Sequence, residues 1–384
     1  MMNKRFVLIL ITAMATSLLT NVHGYAETYN LTAFLNAVKE HNNDLKLVGK
    51  ERDTAAAKAK DARSGALPSV GLSTGYNRNF TDYYMYFDSS ALIPGASGVI
   101  KAPFKRDNEF SSSIALQQTL FNPLVANAIT AANQYRTMTD YIYDAGLENI
   151  MTGGKKLFYQ CLLLQKVIEV AKSTETNAKE NLDITKLKYD NGQTSHLECL
   201  LAETRWKNSV TETRKAERNI ELAMNMLKTF AGIEVNQDIQ IEGDLDSIPE
   251  APKIVSVESV LEKRPDYLAL TWEERLRRTA MKAAKNASLP TVTGTVAFSY
   301  TAQSDPFKLD EENKFLFAGV QMSLPIYTGG KIGANIQQTR IDLEKTNIRI
   351  DKTRQNISTE LENINLRITE ARTRIESAVS IRNV

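Results

Sequence analysis

The chain repeats itself, and this internal duplication constrains its fold more than any other feature. Residues 43–45 (Asn-Asp-Leu) correspond to residues 265–267 (Pro-Asp-Tyr), an offset of 222 positions. The same offset carries Leu-Pro-Ser-Val at 67–70 onto Leu-Pro-Thr-Val at 289–292. Because self-similarity in a sequence marks repeated structural units, we expect one set of elements to occur twice.

Each copy has the pattern helix, strand, loop, strand, helix. The stretches before the two Leu-Pro pairs are rich in Ala, Lys, Arg and Glu, which favours helices. Period-two alternation predicts strands at 68–77, 110–121, 291–300 and 315–325. Segments of about ten residues match the length at which a tilted strand crosses a bilayer. The edge of a soluble β-sandwich shows the same alternation, so the strands alone leave both interpretations open.

The loop at 77–108 favours the interpretation that the strands cross a membrane. Outer-membrane barrels have long loops on one side and aromatic residues near the strand ends. This loop is aromatic at Phe80, Tyr83, Tyr84, Tyr86, Phe87 and Phe104. These side chains could instead pack beneath the loop as a small cluster.

One face of the predicted strands is apolar, and the other is Ser, Thr, Gly and Ala, which suits a water-filled lumen. We therefore predict lipid-facing side chains at Val70, Leu72, Tyr76, Ile114, Leu116, Val292, Val296, Phe298, Val320 and Met322.

Four strands cannot close a barrel across a membrane, since about eight is the lower limit. An open sheet in lipid would leave backbone groups unpaired, each costing several kcal/mol. If these strands enter a membrane, the protein must be an oligomer.

The region 124–231 predicts a long helical hairpin. No proline occurs from Leu124 to Tyr189, and apolar residues recur at three- and four-residue steps, so a helix of roughly 100 Å is possible. The pair at 153–154 (Gly-Gly) suggests a bend or a weak turn. The turn signal at 190–192 precedes a second helix at about 195–230. A helix of this length belongs to a rod or to the wall of a tube.

The N-terminus predicts a secretory signal at 1–26. Lys4 and Arg5 are followed by the apolar stretch 6–19, and small residues occupy Gly24 and Ala26. An uncleaved anchor helix is the rival interpretation, although about 14 apolar residues is short against the roughly 20 that span a bilayer. With 24% charged residues and a net charge of +2, the chain has no basic excess to suggest nucleic acid.

No residue cluster indicates an enzyme, a cofactor site or a metal site. Cys161 and Cys199 lie at different heights on the predicted hairpin, separated by roughly 36 Å, which is too far for a disulfide. The glycines at 329, 330 and 333 lack the spacing of a phosphate-binding loop. His196 and Glu198, two residues apart, diverge on a helix.

At this point the motifs resemble those of the TolC-like outer-membrane efflux family. Residues 31–45 resemble its opening helix, and 264–266 (Arg-Pro-Asp) resembles the signature that opens its second repeat. Residues 67–70 and 289–292 are similar to its strand entries, and 324–330 to its exit from strand to helix. Its hairpin-tip pattern is matched by Tyr189, Gly192, Ser195, Leu197, Glu198, Leu200 and Ala202.

The resemblance implies an α+β membrane protein with repeats at 27–250 and 251–384. Three copies would each give four strands to a 12-stranded barrel in outer-membrane lipid, with long helical hairpins forming a periplasmic tube. It also implies an exit duct that works with a periplasmic adaptor and an inner-membrane pump or secretion ATPase. The adaptor-docking tip would comprise Tyr189, Asn191, Gly192, Gln193, Thr194 and Ser195, and Glu198 would be a gate residue.

The sequence departs from the family pattern at its C-terminus. A second hairpin tip is expected near position 398, yet the sequence given ends at Val384, so the return helix of the second repeat is missing. We therefore expect an incomplete second copy. The alternative functions are a periplasmic coiled-coil protein without a pore, or a truncated copy without function.

Overall fold

The computed structural model describes residues 27–91, 94–95, 97–245, 255–307 and 311–382. The predicted signal at 1–26 and the predicted repeat boundary at 250/251 lie outside these residues. The described residues form two compact units. The first comprises 27–49 and 143–245, and the second comprises 50–142 and 255–382 with the gaps noted.

The elements follow in chain order. They are β1 (Glu27–Tyr29), α1 (Leu31–His41), α2 (Asn43–Ser64), β2 (Ser69–Arg78), β3 (Tyr84–Asp88), β4 (Val99–Pro103), β5 (Asn108–Phe121), α3 (Pro123–Asp190), α4 (His196–Phe230), β6 (Ile239–Ile241), α5 (Val257–Leu261), α6 (Pro265–Asn286), β7 (Thr291–Ser304), β8 (Glu311–Ser323) and α7 (Lys331–Arg382). None of the helices in the described ranges carries an apolar stretch long enough to cross a membrane.

The four predicted strands are confirmed as β2, β5, β7 and β8, and they form one antiparallel sheet in the order β2-β5-β7-β8. The two central strands come from different repeats, so the duplication builds a single sheet. β7 extends to Ser304 and β8 begins at Glu311, which makes both longer than predicted toward the loop that joins them. Both outer strands, β2 and β8, present an unpaired edge within the described chain.

The segment between β2 and β5, predicted as a loop, contains a second hairpin. β3 and β4 pair antiparallel over five residues, from Tyr84 opposite Pro103 to Asp88 opposite Val99. The prediction missed these strands because their apolar residues run without a clear two-residue period.

The predicted helical hairpin is confirmed as α3 and α4. The hydroxyl of Thr213 donates to the backbone carbonyl of Ala171 at 3.3 Å, and Lys172 lies 3.3 Å from Glu217, so the two helices are tied side by side. Of the bend or weak turn expected at 153–154, the turn is wrong, because α3 is continuous there. A Cβ on Gly154 would lie 3.2 Å from Leu35, so this glycine allows a close approach between helices.

The core of the first unit joins α1 to the hairpin. Phe34 and Val38 of α1 are fully buried with Phe158 and Cys161 of α3 and Leu227 of α4. Burial of each large apolar side chain contributes roughly 1.5–3 kcal/mol. The parallel pairing of β1 with β6 completes this unit and was not predicted.

The opening helix predicted as one element is two, separated at Asn42. The Asn42 side chain accepts from the backbone N–H of Leu45 at 2.9 Å and donates to the carbonyl of Phe230 at 2.8 Å. It is 4% exposed, so this buried amide both starts α2 and fastens it to the end of α4.

In the second unit, the Arg-Pro-Asp motif starts α6. Pro265 occupies the first helical turn, where a missing N–H costs no hydrogen bond. The Arg264 guanidinium donates to Asp266 at 2.9 Å and to Glu360 of α7 at 2.6 Å. Partial burial lowers the pKa of Arg264, but these two carboxylates outweigh it and raise the pKa overall. The motif therefore links α6 to α7.

Candidate functional site

The ten predicted lipid-facing side chains lie on one face of the four-stranded sheet. The register places Val70 opposite Leu116, and Leu116 opposite Val296. The next row along the strands joins Leu72, Ile114, Phe298 and Leu316. Since side chains alternate between faces, Tyr76, Val292, Val320 and Met322 belong to the same face. Val70, Leu72 and Val320 are 65%, 73% and 70% exposed, so this apolar face is uncovered.

Aromatic and charged side chains border this apolar face on the side of the loops. Phe110 and Tyr300 make an edge-on contact with ring centroids 6.1 Å apart. Lys314, on the same face, lies 2.9 Å from Glu312 and 5.7 Å from the Tyr300 ring. An aromatic row beside charged groups is typical of the boundary between lipid and water.

The opposite face of the sheet is small and polar, with one exception. One row joins Ser73, Ser113 and Ser299 to Phe315. Phe315 and Phe317 stack with centroids 6.2 Å apart and are 50% and 47% exposed. This aromatic pair was not predicted from the sequence.

A polar cluster at the loop end of the sheet was also missed. Asn108, 5% exposed, accepts from the Tyr76 hydroxyl at 2.7 Å and from Arg78 at 2.8 Å. Its amide donates to the backbone carbonyls of Ser304 and Asp305. One side chain thus ties the loop region of the first repeat to that of the second.

The hairpin tip in the first unit has a defined backbone geometry. Gly192 has φ +68°, its N–H donates to the carbonyl of Tyr189 at 2.9 Å, and the N–H of Gln193 donates to that of Lys188 at 2.8 Å. This glycine-based pattern closes the end of α3. The Ser195 hydroxyl accepts from the N–H of Glu198 at 3.2 Å and starts α4.

The six predicted docking residues are contiguous in space at this tip. The Asn191 amide donates to the carbonyl of Leu187 at 2.8 Å, and the Tyr189 ring lies 5.4 Å from that of His196. A Cβ added to Gly192 would meet nothing within 4 Å, so the tip surface is open there.

Glu198 is exposed and lies in a polar groove between the two hairpin helices. The groove has a volume of about 490 Å³, and its charged lining residues are Lys188, Glu198 and Arg205. Gln193 and Thr194 of the tip line the same groove. Two cations and one carboxylate give it a net positive lining.

An α+β architecture with an uncovered apolar sheet face and long paired helices defines a class of outer-membrane protein with a helical extension. The family model described as outer membrane efflux protein matches residues 34–232 and 257–380. The chain therefore belongs to the outer membrane efflux protein family, and its location is the outer membrane with a periplasmic extension.

Two bacterial relatives are named as an outer membrane protein and a secretion protein. The outer membrane protein TolC of Vibrio cholerae is 22% identical over 308 residues, which cover 78% of this chain and 66% of the relative. The alkaline protease secretion protein AprF of Pseudomonas aeruginosa is 19% identical over 74% of this chain and 58% of its own length. The chain thus spans less than two thirds of the length of these relatives.

A solved structure shares the fold. The Campylobacter jejuni CmeC outer membrane channel superposes with a TM-score of 0.71 at 17% identity, covering 89% of this chain and 73% of that one. This likeness confirms the predicted α+β fold class.

Proposed function

We propose that this protein is an exit duct in the outer membrane for efflux or protein export. Three copies each contribute β2, β5, β7 and β8 to a closed 12-stranded barrel. The duct carries out no chemistry, and transport energy comes from an inner-membrane pump or secretion ATPase.

The observation that carries this proposal is the sheet with one apolar face and two unpaired edges. Outer strands in lipid cost several kcal/mol for each unpaired backbone group. β2 and β8 run antiparallel to one another within the order β2-β5-β7-β8, so the β8 edge of one copy can pair with the β2 edge of the next. Closure by identical copies removes every edge.

The lipid contacts in this proposal are the ten apolar residues named above, and the Ser- and Gly-rich face lines the lumen. The extent of the apolar band supports this. Met322 and the charged row at Lys314 are eight residues apart on β8, which is roughly 27 Å along a strand. Allowing for strand tilt, this is close to the apolar height of about 25 Å in outer-membrane barrels.

The periplasmic adaptor docks at the hairpin tip. The open surface at Gly192 and the exposed turn at 191–195 leave the backbone accessible to a partner. Glu198 acts as a gate residue, because three copies around one axis would bring three carboxylates together near the tip. The cationic neighbours Lys188 and Arg205 would moderate their repulsion.

The proposed duct is tested by the resistance of the oligomer to SDS and by its ion conductance. We expect unboiled protein in SDS to migrate as an oligomer that boiling converts to monomer, and the purified oligomer to pass ions across a planar bilayer. An elongated monomer that passes no ions across the bilayer would support the alternative of a coiled-coil protein without a pore.

A further inference from the structure

The ladder between β2 and β5 does not stop at the loop end of the sheet. Beyond the last pair, Arg78 and Asn108, the N–H of Asn79 donates to the carbonyl of Asp107 at 2.8 Å. After a short break, the N–H of Phe104 donates to the carbonyl of Tyr83 at 2.8 Å, and β3 and β4 then pair. We call residues 79–90 and 98–104 the outer ribbon.

The chain that joins β2 to β5 is much longer than the loop between β7 and β8. In the outer ribbon, β3 and β4 are each five residues long, roughly 17 Å of strand, and beyond them the N–H of Ser89 donates to the carbonyl of Gly98 at 2.8 Å. Among the described elements, β3 and β4 pack substantially only on each other. An isolated two-stranded ribbon is marginally stable in water, so this one needs a covering partner.

The surface that the ribbon exposes is aromatic. Phe80 is 89% exposed, Tyr83 57%, Tyr86 67% and Phe104 54%. Apolar patches of this kind mark interaction sites. The sequence left open whether these aromatic residues cluster beneath the loop; in the part of the loop that the structure describes, Tyr83 and Phe104 make one edge-on contact with ring centroids 6.0 Å apart.

The charged groups of the ribbon are satisfied within it. Asp82 accepts from the Tyr84 hydroxyl at 2.7 Å, and Asp88 accepts from the N–H and the hydroxyl of Ser90 at 3.0 and 2.7 Å. Lys101 lies 3.6 Å above the Tyr84 ring. The partner therefore meets an apolar surface whose charged groups already have a contact within the ribbon.

The charge balance argues for one kind of partner. The ribbon carries two aspartates and one lysine, so it has no positive excess for anionic lipid headgroups. The ribbon also continues directly from β2, which is an unpaired edge of the sheet. In a closed barrel of identical copies, this edge adjoins the neighbouring copy.

We propose that the outer ribbons of neighbouring copies pack on one another beyond the sheet and form an intersubunit crown that narrows the outer mouth. This rests on the proposed oligomeric duct. Each ribbon covers the aromatic residues of the next, which removes the apolar exposure seen in a single chain and supplies the packing that a two-stranded ribbon lacks.

Cross-linking of engineered thiols in outer-membrane vesicles tests the crown. In a Cys199→Ser background, Tyr86→Cys places one accessible thiol on each ribbon, while Cys161 is fully buried. Because identical copies in a ring contact one another through different residues, we use a short bismaleimide cross-linker and expect a boiling-resistant band of twice the monomer mass. Ser358→Cys, an exposed position on α7, is the control that should stay monomeric after boiling.

A second variant checks that packing of the ribbons causes the link. Adding Phe80→Ser and Phe104→Ser to Tyr86→Cys should reduce the linked fraction severalfold while the unboiled oligomer persists. These residues lie outside the four sheet strands, so barrel closure should not depend on them.

The remaining outcomes are distinct. An SDS-resistant oligomer without any Tyr86→Cys link overturns the crown and leaves the duct intact. A thiol at position 86 that maleimide reaches in detergent but not in vesicles, and that is not cross-linked, means that lipid covers the ribbon and also overturns the crown. Absence of an SDS-resistant oligomer in the unsubstituted protein would overturn both proposals.

Discussion

Val296 and Ala297 are adjacent on β7, yet Val296 is 45% exposed and Ala297 only 3%. The register sets Ala297 between Ala115 and Phe317, on the face opposite Val296. The small and polar face is therefore not uniformly open. A test of the two faces needs a pair of residues that are both accessible.

Val320 and Gln321 on β8 form that pair. Val320→Arg should weaken assembly by about 2–4 kcal/mol if it lies near the bilayer midplane, because a cation then enters hydrocarbon. Gln321→Arg, exposed on the polar face, should be nearly neutral. The measurement is the temperature at which the unboiled oligomer dissociates in SDS. Equal losses for the two variants would contradict the assigned orientation.

Gly192→Trp should block export while leaving the oligomer intact, since a large side chain would stand where the adaptor is proposed to dock. The position also has φ +68°, and a side chain there costs roughly 1–2 kcal/mol. Gly192→Ala has the same backbone strain without the bulk. Export that fails equally in both variants would indicate strain, and export that persists in Gly192→Trp would place the docking site elsewhere.

Glu198→Ala should raise the resting conductance of the channel, most clearly at low salt, where charge interactions are least screened. Glu203→Ala is the matched control one turn further along α4. The Glu203 carboxylate lies 2.8 Å from Lys207, whose hydrogen bond lowers its pKa, so it is already paired within the helix. Unchanged single-channel conductance in Glu198→Ala across the salt range would contradict the proposed gate role of Glu198.

The two cysteines should differ in reactivity. Burial raises the pKa of the Cys161 thiol to about 11, so at pH 8 roughly a thousandth of it is the reactive thiolate. Cys199 is partly exposed. We expect maleimide to label native protein once per chain, at Cys199, and twice only after denaturation. Labelling of Cys161 in native protein would show that the core around α1 opens.

Gly232→Ala should destabilise the first unit by more than about 1–2 kcal/mol. Gly232 has φ +68°, and a Cβ there would lie 2.7 Å from the backbone oxygen of His41. Gly333→Ala, in open space on α7, should instead be stabilising by about 0.5–1 kcal/mol. The measurement is the temperature at which each variant loses its helical circular-dichroism signal, compared with the unsubstituted protein. A tolerated Gly232→Ala would mean that α1 can shift away.

The location and type of most elements were predictable from the sequence. Alternation placed β2 and β5 to within two residues at each end, and the turn signal and the long proline-free run gave α3 and α4 nearly to the residue. Such patterns involve only a few neighbouring positions, so they can be recognised in the sequence alone. The set proposed to face lipid follows from the same alternation, and the register places all ten residues on one face.

The roles of Asn42, Asn108 and Gly154 were not predictable in this way. Each depends on a partner far along the chain: the carbonyl of Phe230 for Asn42, Ser304 for Asn108, and Leu35 for Gly154. The same holds for Ala297, whose burial depends on the neighbouring strands. The sequence by itself determined which segments are helices and strands and which strand face is apolar, because these depend on local periodicity. Only the tertiary structure decided which residues meet, since contacts between distant segments depend on register and packing that no local pattern encodes.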